Sequence, residues 1–168
     1  LDLATATGES LANSAQVAGS VLRAFNMEAA STQRVTDVMS QAFSNSALTL
    51  EKFKESMKFV APVARAAGFT IEETSSMLMK LADSGLSGSL AGNALKNIFM
   101  RLGDSSSDLA KRLGGPIRSM PALVAGMNKL KQEGFGLTDA VELLDKRSAP
   151  AFLALMTSIE GLEPGVEL

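Results

Sequence analysis

The chain has 168 residues, 46% of them hydrophobic, with 16 Lys+Arg against 18 Asp+Glu and a net charge of -2. That is enough apolar material for one domain core. With no cysteine and no histidine, disulfides, thiolate metal sites and cysteine nucleophiles are excluded, most zinc sites go with them, and acid–base catalysis near neutral pH loses its usual side chain.

Apolar residues recur at helical spacing along the chain, and no run alternates apolar with polar as a half-buried strand does. The expected class is all-α: a compact multi-helix bundle of about seven to nine short helices with glycine-marked turns, neighbours packed roughly antiparallel. A first helix is predicted from about Gly8 to Phe25, with Leu11, Ala15, Ala18, Leu22 and Phe25 on one face and Asn26 placed to end it. A second runs from about Glu28 to Ser44 and carries Val35, Val38, Met39 and Ala42. The third has the clearest pattern, Leu50, Phe53, Met57, Val60, Ala64 and Ala67, stepping by 3, 4, 3, 4, 3 behind Thr49 as N-cap and closed by Gly68. Pro62 falls inside it and predicts a kink, at a cost of roughly 3 kcal/mol.

Thr70 and Glu73 form a T-x-x-E capping box that opens a fourth helix, with Ile71, Leu78 and Leu81 inward and Gly85 at its end. A fifth runs from about Gly88 to Leu102, with Ser87 and Ser89 available to cap it, and Asp104 is the cap expected for a shorter sixth. After "GGP" at 114–116, Ser119 starts a seventh helix to about Gln132, with Pro121 in its first turn. Thr138 and Ser148 are the expected caps of two final helices, the last burying Phe152, Leu155, Met156 and Ile159. Residues 1–160 read as the helical segment, divisible at Gly103 into sub-lobes 1–103 and 104–160, with 161–168 an outgoing linker.

The segment begins at Leu1 with no secretory leader pattern and reads as a piece of a longer protein. Its longest apolar runs, such as "APAFLALM" at 149–156, fall well short of the roughly 20 residues that cross a bilayer. Basic residues are scattered, and Tyr and Trp are absent, which argues against direct nucleic-acid recognition.

The stretch "GLSGSLAGNALKNIF" at 85–99 packs glycines Gly85, Gly88 and Gly92 into eight residues. It fits neither a Walker A loop nor a dinucleotide fingerprint, because the spacing is wrong and a helix rather than a strand precedes it. Its reading is mechanical: Gly85 ends one helix, Gly88 permits a tight turn, and Gly92 with Ala91 lets a neighbouring helix approach closely. The carboxylates Glu72, Glu73, Asp83, Asp139 and Glu142 offer the residue type that a glycosidase pair needs. Helix-terminus positions account for Glu72, Glu73, Asp83 and Asp139 instead, so no catalytic residue, cofactor or metal ligand is assigned. The candidate residues are structural: Pro62, Thr70, Glu73, Gly85, Gly88 and Gly92. The Glu51, Lys52, Lys54, Glu55 and Lys58 set is the solvated face of a helix.

The run from Lys58 to Leu102, with "FVAPVA" around Pro62, "GFTIEET" opening the next helix and "GLSGSLAGNAL", resembles the core segment of phage tail tape measure proteins. The flanking "LDLATATGESLANSAQVAGSVLRAFNM" and "DAVELLDKRSAPAFLAL" fit the same segment, so the resemblance covers roughly residues 1–160. Asn93 stands where Thr is usual and Phe59 where Tyr is usual. The resemblance implies a virion protein, very long in full, around which tail-tube subunits polymerise and whose length sets that of the tail. It is later expelled to let DNA through the envelope. Tail-tube and tail assembly chaperone proteins are the implied partners, with self-association and, during delivery, membrane contact as further expectations, and with no small-molecule substrate. The implied location is the virion tail, and the host cytoplasm during assembly. A helical adaptor and a phage-associated cell-wall hydrolase region are the competing classes.

Overall fold

The computed structural model describes residues 2–159; the predicted linker 161–168 lies outside them. Ten α-helices and one 3₁₀ turn account for the secondary structure of the described residues, and no strand occurs among them. They are α1 (Asp2–Thr7), α2 (Leu11–Ala24), α3 (Thr32–Ser44), α4 (Leu50–Ala67), α5 (Ile71–Asp83), α6 (Gly88–Gly103), α7 (Asp108–Arg112), α8 (Met120–Gln132), α9 (Leu137–Leu143) and α10 (Ala149–Thr157), with the 3₁₀ turn at Ala29–Ser31.

α4 follows its sequence pattern. Thr49 Oγ1 accepts from Lys52 N–H, the whole predicted apolar face is buried, and Gly68 closes the helix in the left-handed region at φ 89°. The helix passes through Pro62 unbroken. Pro62 and Lys58, whose carbonyl loses the missing donor, both lie on exposed turns where water serves. The faces predicted for α3, α5 and α10 are buried in the same way.

The first helix predicted from about Gly8 forms as α2, which starts later, at Leu11, and an unpredicted helix, α1, precedes it. Gly8 takes φ 68° and Ser10 caps a new start by accepting from Asn13 N–H at 3.1 Å. The buried face of α2 becomes Ser14, Val17, Ala18, Val21 and Phe25, leaving Leu11 and Ala15 exposed. Asn26 does end α2, at φ 52°.

Four predicted caps also differ. Ser107, not Asp104, caps α7 by accepting from Ala110 N–H at 3.0 Å, while Asp104 accepts from the Ser106 backbone and hydroxyl. Thr138 lies inside α9, and Asp139 reaches back to Gly136 N–H at 3.0 Å. Ser148 precedes α10 without capping it; Asp145 accepts from the N–H groups of Arg147 and Ser148 and from the Ser148 hydroxyl. Ser87 holds the N-cap position of α6 without a side-chain bond. At α7 and α9 a hydroxyl or carboxylate a few residues away takes over the role of the predicted cap.

The most extensive contact joins second neighbours, α4 and α6. The two run parallel. Ser56 meets Gly92 near their starts, and Phe69, just past α4, stacks on Phe99 near the end of α6 with centroids 4.5 Å apart. α3 and α5 are parallel likewise, with Arg34 on Glu72 at one end and Ala47 N–H on Asp83 at the other. Buried side chains from Leu3 to Ile159 form one continuous cluster. No helix of the described residues is long and apolar enough to cross a membrane.

Candidate functional site

The segment from Gly85 to Gly92 carries α5 into α6, and its three glycines serve different needs. Gly85 takes φ 87°, and a Cβ there would meet nothing within 4 Å, so only its backbone calls for glycine. It closes α5 with Leu86 N–H on Leu81 O at 2.8 Å and Gly85 N–H on Ala82 O at 3.0 Å, a paired arrangement that satisfies the last carbonyls. Gly88 combines φ 63° with crowding, because a Cβ would lie 2.7 Å from Glu55 Oε2. Gly92 sits inside α6, where a Cβ would lie 2.5 Å from Ser56 O and 2.8 Å from Ser56 Cα. There the missing side chain makes room for another backbone.

Ser56 is the partner that sequence reasoning passed over. It is fully buried, with Oγ 2.7 Å from Gly88 O and 2.8 Å from Lys52 O. Its single hydroxyl proton is thus divided between the facing helix and its own. The available signal was position: Ser56 comes three residues after Phe53 and four before Val60, on the apolar stripe of α4.

Thr70 and Glu73 complete their reciprocal cap, Thr70 Oγ1 accepting from Glu73 N–H at 3.1 Å and Glu73 Oε2 from Thr70 N–H at 2.9 Å. Beside them Arg34 grips Glu72 with Nε at 2.5 Å and Nη2 at 2.8 Å. Burial works to raise the Glu72 pKa, but the hydrogen bond from Arg34, backbone bonding and the Arg34 charge outweigh it and hold the carboxyl below its usual range. The same hydrogen bond raises the pKa of Arg34.

Among the crevices of the described surface, two adjoin these elements. One, about 430 Å³, lies between α2 and α4 over Val17, Val21 and Met57, with Pro62 at its edge. The other, about 700 Å³, lies beside the C-terminal end of α6 and is lined by Asn97, Met100, Arg101, Asp104, Asp108 and Asp145. Burial of Asp145 works to raise its pKa, and the bonds it accepts from the Ser148 and Arg147 backbone lower it further than that, for a net depression. Hydrogen bonds from Ser106 depress Asp104.

Chemically, these groups hold helices together. Glu72 is engaged by Arg34, Glu73 by its cap, Asp83 by Ala47 N–H at 2.8 Å and Asp139 by Gly136 N–H. Ser56 has carbonyls rather than a base beside it. No group of three or more acidic, His or Cys side chains among the described residues could hold a metal ion.

Residues 1–162 match the family described as phage-related minor tail protein. The chain belongs to that family. This minor tail protein segment is 35% identical, over 113 residues and 67% of its length, to a protein named "Tape measure protein" from Pneumococcus phage Dp-1. Over 102 residues, 61% of the chain, it is 28% identical to a "Probable tape measure protein" from Escherichia phage P2. The matched stretches span 10% and 12% of those relatives. No solved structure matches it. The resemblance read from residues 58–102 therefore holds.

Proposed function

We propose that this chain is a compact helical module within a tape measure protein of a phage or prophage, whose full-length chain sets tail length during assembly and assists DNA delivery. The 35% identity over 113 residues to the phage Dp-1 protein carries this reading. Its partners are then tail-tube subunits and tail assembly chaperones, in the virion tail and, during assembly, in the host cytoplasm. Contact with a membrane is confined to delivery. The module's own contribution is non-catalytic, supported by the engagement of its carboxylates in caps and ion pairs.

The test is an in-frame deletion of residues 2–159 from the full-length parent gene, followed by electron microscopy of the tails. An extended helical ruler would lose about 240 Å over this stretch at 1.5 Å per residue. A folded module removes far less, no more than about the 40 Å breadth of a compact domain of this size, and costs infectivity. Tails unchanged in length, assembly and infectivity would overturn the proposal.

A further inference from the structure

An α-helix leaves the carbonyls of its last turn without partners inside the helix, and at α6 each of these, from Met100 to Gly103, is met from beyond its end. Met100 O accepts from Asp104 N–H at 3.1 Å and Arg101 O from the Ser107 hydroxyl at 2.5 Å, both in the turn that follows directly. Leu102 O accepts from Ile117 N–H at 2.7 Å and Gly103 O from the Arg118 guanidinium at 3.4 Å. Half of the turn is thus held by residues that return to it from beyond α7. Arg118 also brings a cation to the negative end of the helix dipole.

The same residues meet the end of α4. Gly68 closes that helix, and a Cβ there would lie 2.8 Å from the Arg118 carbonyl oxygen. Because α4 and α6 run parallel, one short segment can reach both of their C-terminal ends, next to the Phe69–Phe99 stack. Its attachment is narrow. Ile117 is buried, while Pro116, Arg118 and Ser119 are exposed. The segment leaves α7 through Gly114 and Gly115, at φ 87° and 144°, where a Cβ would meet nothing within 4 Å. Packing leaves that pivot free to turn, and segments with few buried contacts open at lower free energy than the core around them.

We propose that Gly115–Arg118 is a strap that opens as a unit, turning at Gly114 and Gly115, and so releases the C-terminal ends of α4 and α6 together while the Ser56–Gly92 end stays closed. The inference does not depend on the tail assignment.

Hydrogen exchange of the 168-residue chain, followed residue by residue by NMR, tests it at two amides: Ile117, which bonds to α6, and Leu95, buried in the middle of that helix. Ile117 is expected to exchange at least about tenfold faster than Leu95, because it opens without global unfolding. Arg118→Ala alters an exposed side chain, so the fold is kept, and it should speed Ile117 roughly fivefold, the worth of one net hydrogen bond. Gly68→Ala, made on α4, should speed the same amide at least about fivefold through the clash with the Arg118 carbonyl. Gly134→Ala is the control: that glycine is left-handed at φ 76° with nothing within 4 Å, so the change should speed Leu95 and leave Ile117 as it was. An Ile117 amide no faster than Leu95 overturns the proposal. So does one that Arg118→Ala or Gly68→Ala leaves unchanged, or one that Gly134→Ala speeds in step with Leu95.

Discussion

The backbone of Ser56 lies so close to Gly92 that a Cβ on the glycine would stand 2.5 Å from the serine carbonyl oxygen. Neither atom belongs to a flexible side-chain end. A Gly92→Ala change must therefore push α4 and α6 apart. Alanine gains roughly 0.5 to 1 kcal/mol of helix preference, and the overpacking costs about 1 to 3 kcal/mol or more. The expected net effect is a loss of about 2 kcal/mol, seen as a fall of about 4 to 8 °C in Tm. Gly85→Ala meets open space and should lose only about 1 to 2 kcal/mol, from left-handed strain. Thermal unfolding of the two variants side by side checks the ranking.

Gly88→Ala carries both burdens, and one of them can be removed. The clash is with Glu55 Oε2, the end of a flexible and exposed side chain. Glu55→Ala should recover part of the loss in Gly88→Ala and none of the loss in Gly92→Ala. Denaturant unfolding of the double variants measures that coupling; equal recovery in both backgrounds would refute the assignment.

Ser56→Ala keeps the close approach and removes the shared hydroxyl. The expected cost is about 1 kcal/mol, the worth of one net hydrogen bond. Ser56→Val should cost more, because the added methyl groups face backbone. Equilibrium unfolding of both variants decides between hydrogen bonding and space as the dominant need.

The Arg34–Glu72 pair makes part of the stability acid-sensitive. The folded pKa of Glu72 is depressed from 4.5, so its contribution is fully present above that value and is lost as pH falls through the lower folded pKa. Glu72→Gln should flatten this part of the stability profile. The pair is exposed, Arg34 by 53% and Glu72 by 33%, so the change should stay below about 1 kcal/mol. Chemical denaturation from neutral pH down to acid, with and without Glu72→Gln, is the measurement.

The continuous cluster of buried side chains predicts that residues 1–103 and 104–159 unfold together. A single calorimetric transition whose van't Hoff and calorimetric enthalpies agree is expected. Two resolved transitions would make them separate lobes.

What could be read from the sequence was local. α4 announces itself because six apolar positions repeat against a charged opposite face, and the Thr70–Glu73 cap needs only a spacing of three residues. α2 is harder, since Leu11, Ala15, Ala18 and Leu22 make a helical stripe beside the one that Ser14, Val17, Val21 and Phe25 make, and the second is the buried side, leaving Leu11 and Ala15 exposed. The glycines at 85, 88 and 92 pointed to a tight corner, but not to Ser56 as the surface they accommodate. That pairing joins positions more than thirty residues apart, and no local pattern encodes it.

The parallel course of α4 and α6 has a mechanical consequence. Leu50 begins α4 and Gly103 ends α6, at opposite ends of the pair. Tension along the chain between those points loads the interface in shear, straining the Ser56–Gly92 contact and the Phe69–Phe99 stack together, whereas an antiparallel hairpin would peel open one contact at a time. Resistance to such pulling is governed by the unfolding rate, and this corner should yield late and in one step.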